Sequence, residues 1–222
     1  MTETPFSLQL VNALAALLLL SSFAMLSQRR VVGLVNLLAL QGSILFAATL
    51  LLAWRTGQAH LYVSAALTLG LKVVFLPWLL HRLIQRLGVY WDADPLLNIS
   101  GTMLAGLLIV VFSFGLAQPI TALASTATRS AIGIAVAVIL LAFLTMITRR
   151  KAMSQVIGFL SMENGLFFGA MSATYGMPMI VELGVALDVL VAMLVLGVFF
   201  FQIREQFDSL DLHNLESLKE RQ

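Results

Sequence analysis

Long apolar runs follow one another along this chain, separated by short polar turns. A run of about 20 apolar residues crosses a hydrocarbon core of about 30 Å as a helix. Open strands cannot do so, because no water there satisfies their backbone groups. Seven stretches qualify, at residues 6–26, 31–54, 60–85, 97–118, 129–148, 152–174 and 178–204. The first is expected to remain as a span and not to be cleaved as a signal peptide. Glu3 and Pro5 precede it without any Lys or Arg, and its apolar run is too long for an ordinary signal core. The pattern predicts an all-α polytopic membrane protein with seven transmembrane helices.

Composition agrees: at 60% hydrophobic and 11% charged residues, the chain has too few polar groups to cover a soluble surface. Its mean hydropathy is +0.97. The medium is therefore a lipid bilayer, and charge sets the orientation in it. With the amino terminus outside, Arg29, Arg30, Arg82, Arg86, Arg149, Arg150, Lys151, Arg204, Lys219 and Arg221 all face the cytoplasm, ten of the thirteen basic residues. Only Arg55 and Arg129 fall outside, and Lys72 lies within a span. The net charge of +2 restates this asymmetry, and no basic patch with interleaved aromatics suggests a nucleic-acid partner. The absence of cysteine excludes thiolate-bound iron–sulfur clusters, covalent haem attachment and disulfides. His60, His81 and His213 are too widely spaced to suggest a metal or haem site, so no cofactor is expected in this chain.

An internal repeat emerges when the first three stretches are laid over the last three. Each unit has an apolar helix, a basic turn (SQRR at 27–30, TRRK at 148–151), a helix with a central polar residue and a helix with a central charge. Gln41 falls opposite Glu163, and Lys72 opposite Asp188. One span separates the units and restores direction, which makes them parallel repeats. The expected organisation is an N-terminal three-helix unit at 1–96, a linking helix and outer loop at 97–128, a second three-helix unit at 129–204 and a cytoplasmic tail at 205–222. Gly165-x-x-x-Gly169 puts two glycines on one face, where a neighbouring helix can approach closely.

The candidate chemistry lies at depth. Taking an ionisable group into hydrocarbon costs roughly 2.5–3.5 kcal/mol even on a lenient scale, so such residues face a protein interior or a water path. Glu163 lies eleven residues into its stretch, at roughly 16 Å or half the hydrocarbon thickness. Asp188 reaches a similar level from the opposite side, and the short turn at 175–177 makes the two helices antiparallel neighbours. Two carboxyls that meet there titrate as a coupled unit, which suits a proton relay. Lys72 in the same wet zone would act as their counter-charge. The plain alternative is an ion pair or hydrogen bond that merely joins helices.

Other residues are candidates for support. Glu182, near the outer end of the last span, is either an entrance group or an interfacial one. Asn36, Gln41 and Asn164 either sustain a water chain or join helices. Pro77, five residues after Lys72, is expected to kink its helix. His81 lies toward the cytoplasmic end, where an imidazole suits proton access or simply sits at the interface.

The motifs TRRK, GFLSMENGLFFG and VELGVALDVLV over residues 129–204 resemble the K subunit of bacterial respiratory complex I. The whole chain resembles the membrane E subunits of hydrogenase-4 and formate-hydrogenlyase complexes. The resemblance implies that Glu163 and Asp188 match the two buried acids of the K-type unit, Asp188 with a shorter side chain. Gln41 and Lys72 depart from that acidic pattern. It further implies a noncatalytic subunit in a bacterial or archaeal cytoplasmic membrane, set between a quinone-reductase-like foot and antiporter-like subunits. Partner subunits would carry the iron–sulfur clusters and a nickel–iron or similar site. The buried charges would then continue a proton or sodium path coupled to redox chemistry. The three-helix plan is also shared by a subunit of Mrp-type cation/proton antiporters, and a purely structural spacer is the third reading.

Overall fold

A computed structural model describes residues 5–87, 98–121 and 126–174, together with Gly184 and Leu190. Its elements are helical: α1 (Pro5–Ser27), α2 (Val31–Thr56), α3 (Ala59–Thr68), a π-helical segment (Leu69–Phe75), α4 (Leu76–Leu87), α5 (Ile99–Thr121), α6 (Thr126–Thr148) and α7 (Ala152–Thr174). Among the described residues, six spans are long and apolar enough to cross a membrane, and they correspond to the first six stretches read from the sequence. The seventh stretch, apart from Gly184 and Leu190, lies outside the described residues, as does the tail. The last helix of the expected repeat lies in that stretch, outside the described residues.

The third span is continuous but changes its winding. A proline offers no amide to the turn behind it and crowds the carbonyl four residues back. The sequence suggests a kink at Pro77; the turns just before it widen, and the Leu76 N–H reaches back to Leu71 O. Pro77 then follows directly as the second residue of α4. Lys72 lies within the widened segment.

Helix α2 packs against α1, α7 and the third span, while α6 packs against α1, α5 and α7. Leu18, Leu45, Val138 and Phe168, one from each of α1, α2, α6 and α7, are fully buried in a shared apolar core. Small residues permit the close contacts. A Cβ on Gly165 would come within 2.9 Å of Val138, and one on Gly169 within 2.9 Å of Ala135, so the Gly-x-x-x-Gly face is the one α6 meets. A Cβ on Gly42 would sit 3.1 Å from the Lys72 carbonyl oxygen, which fixes how near α2 lies to the π-helical segment.

Helix α5 contributes a different surface. Leu104, Leu107, Leu108, Val111 and Phe112 are all exposed, and only 17% of this span is buried. Such an apolar patch is unsustainable in water and ordinary in hydrocarbon.

The two basic turns lie at one end of the bundle. The Arg149 guanidinium, 3% exposed, donates to the carbonyls of Met25 (3.2 Å), Leu26 (3.2 Å) and Gln28 (2.6 Å). A cation at a helix C-terminus satisfies carbonyls left without intrahelical partners and opposes the helix dipole.

Candidate functional site

Lys72 from the π-helical segment and Glu163 from the middle of α7 meet inside the bundle, with Nζ 2.9 Å from Oε1. Their side chains are 4% and 3% exposed. The sequence places both charges near mid-span, and the fold turns them toward each other.

The donor and acceptor capacity of each group dictates the rest of the cluster. An ammonium can only donate, so Asn164 turns its Oδ1 to Lys72 Nζ at 3.0 Å. That leaves Asn164 Nδ2 to donate to Gln41 Oε1 at 3.3 Å. Gln41 Nε2 in turn donates to Ser22 Oγ at 2.9 Å, and the Ser22 hydroxyl donates to the Leu18 carbonyl at 3.0 Å. Every bond runs in the same sense, from the ammonium across α7 and α2 to the backbone of α1. Bonds aligned in this way polarise one another and fix both amides in one orientation. Lys72 Nζ also lies 5.4 Å from the centroid of the Phe167 ring, within the range of a cation–π contact.

A small cavity adjoins the pair, lined by Leu38, Lys72, Leu76, Leu160, Glu163 and Asn164. It leaves about 10 Å³ for the centre of a water molecule. One water needs on the order of 10–15 Å³ by that measure.

Of the candidate residues, the structure brings together Lys72, Glu163, Asn164 and Gln41. Asn36 does not join them: it lies on the exposed side of α2. Five residues before Gln41, it is rotated about 140° from it on a helix of 3.6 residues per turn. His81 lies half-buried on α4 with Nδ1 2.8 Å from Pro77 O, and it takes no part in the chain of bonds from Lys72. Asp188 and Glu182 lie outside the described residues, and with them the expected meeting of two carboxylates.

Sequence reasoning missed Ser22, Phe167 and the π-helical winding around Lys72. Among the described residues, no group of three His, Cys, Asp or Glu side chains converges as a metal site would require. The arrangement holds one buried charge balanced by another.

Fold and site define a class: multi-spanning helical membrane proteins with an ion pair held at mid-span. Comparison with known proteins narrows it. The chain is 36% identical over 221 residues, 99% of its length and 100% of the relative's, to a Mycobacterium tuberculosis protein described as "Uncharacterized protein Rv0085", and it belongs to that protein's family. It is also a distant homologue of hydrogenase-4 component E of Escherichia coli K12, at 25% identity over 95% of this chain and 97% of that one. The Shigella flexneri protein of the same name matches equally. No protein-family model matches the chain, and no solved structure does.

Proposed function

We propose that this chain is a noncatalytic membrane subunit of a hydrogenase-type complex, and that Lys72 and Glu163 belong to a path moving protons or sodium ions in step with redox chemistry. The observation that carries the reading is the Lys72–Glu163 pair, buried at mid-span and ordered by Asn164, Gln41 and Ser22. Homology over nearly the full length to hydrogenase-4 component E supports membership of such an assembly.

The chemistry follows from charge balance. A proton reaching Glu163 neutralises the carboxylate and leaves the Lys72 ammonium uncompensated. In a water-poor site, that one-charge change acts strongly on the next ionisable group. Asn164 and Gln41 hold Lys72 in place but relay no proton. In this reading Asp188 continues the path in a seventh span, with Glu182 nearer the outer end. Seven spans then form two parallel three-helix units about one linking helix, with the amino terminus outside and the carboxyl terminus in the cytoplasm. The contact of Arg149 with the end of α1 supports this orientation, because it gathers both basic turns at one end. The redox centres fall to partner subunits, with antiporter-like subunits and a quinone-reductase-like foot as neighbours.

Affinity purification of the tagged full chain from its own membranes tests membership. Hydrogenase or dehydrogenase subunits with iron–sulfur absorbance are expected to co-purify. Recovery of antiporter proteins alone would contradict the assignment.

A further inference from the structure

The cavity beside the ion pair is placed asymmetrically. Leu38 lies three residues nearer the start of α2 than Gln41, and Leu160 three residues nearer the start of α7 than Glu163. Leu76 lies four residues beyond Lys72 on a span running the other way. All three are therefore displaced toward the same end of the bundle, the one bearing the basic turns at 27–30 and 148–151. On the other side of the pair lies the apolar core of Leu45, Val138, Phe167 and Phe168.

We infer that Leu38, Leu76 and Leu160 form an apolar collar around a single-water site, through which the Lys72–Glu163 pair is hydrated from the basic-turn end and not from the opposite end. The cavity offers a water both of its requirements. Its volume is at the lower limit for one molecule, and it has polar neighbours in the ammonium, the carboxylate and the Asn164 amide. The leucines are each 2–3% exposed, so the cavity is walled by buried apolar side chains. An apolar constriction of this kind controls passage by wetting and drying, without any charged gate. The same cavity of the proposed ion path thus gains a direction of access and three residues that set it.

The chain contains no cysteine, so label recovered on the tagged chain reports a single introduced thiol. The variants are Leu38→Cys, Leu76→Cys and Leu160→Cys, with Leu45→Cys and Val138→Cys as dry-core controls. Each is made in the full chain in native membrane vesicles, and its level in the membrane is measured. Only a thiolate reacts with methyl methanethiosulfonate, and a thiolate forms only where water reaches it. The three collar thiols are expected to react at least tenfold faster than either control. The impermeant, cationic trimethylammonium analogue is expected to label them only from the basic-turn side. Adding Leu76→Asn to the Leu160→Cys chain is expected to raise its rate several-fold further. Collar rates equal to the controls, or labelling from the opposite side, would overturn the inference. Three positions guard against the loss of one variant to misfolding. The inference rests on the proposed ion path only for its purpose: fast one-sided labelling together with unaltered transport in Glu163→Gln would leave the collar standing and remove the path.

Discussion

Removing one member of the Lys72–Glu163 pair is expected to cost far more than removing both. At 2.9 Å and an effective dielectric of about 20, Coulomb's law gives the pair roughly 6 kcal/mol of attraction, which offsets the cost of taking two charges out of water. Lys72→Met leaves a carboxylate with its counter-charge gone. Glu163→Gln keeps the shape and leaves the ammonium in the same position. Each single change is expected to destabilise by about 3–5 kcal/mol, the range found when a buried pair loses one partner. The double variant leaves no buried charge. It should lose no more than the larger single change, giving a coupling energy of at least about 3 kcal/mol. The assay is unfolding of the purified full chain in mixed micelles, followed by circular dichroism as sodium dodecyl sulfate is raised. Additivity of the two single effects to within about 0.5 kcal/mol would refute the reasoning, because it would mean the charges do not sense each other.

Other substitutions probe the supports of the pair in the same assay. Gly42→Ala forces a methyl to 3.1 Å from the backbone of Lys72 and should cost about 1–3 kcal/mol, whereas Gly70→Ala meets nothing within 4 Å and should be neutral or stabilising. Gln41→Leu loses its bonds to Ser22 and Asn164 and should cost about 1–2 kcal/mol, at roughly 0.6 kcal/mol or somewhat more per interhelical bond. Arg149→Met strips three carbonyl contacts from the end of α1 and should cost about 2–4 kcal/mol. Arg149→Lys should recover only part of that loss, because an ammonium lacks the planar fork.

The energy of placing charge in hydrocarbon makes Glu163 and Lys72 legible from the sequence, since a charge at mid-span persists only where the protein interior compensates it. The limits of α7 are legible for a similar reason: the TRRK turn must lie outside the hydrocarbon, and the helix begins at Ala152 directly after it. What the chain hides is geometry. The widened turns around Lys72 have no residue signature beyond Pro77, whose usual consequence is a kink. Ser22 is invisible because a serine within a helix ordinarily bonds its own backbone, as its bond to Leu18 O shows, and nothing in α1 announces that α2 brings Gln41 to it. Arg149 shows only its sign in the sequence, whereas its reach across to α1 depends on how α6 packs.

The buried pair, on this account, takes part in moving charge and does more than join two helices. The most direct test is ion translocation per catalytic turnover in membrane vesicles whose complexes carry Glu163→Gln, at matched assembly and matched redox activity. Coupled transport is expected to fall at least tenfold while electron transfer persists. Transport undiminished in a fully assembled complex would contradict the claim and leave the pair a structural tie.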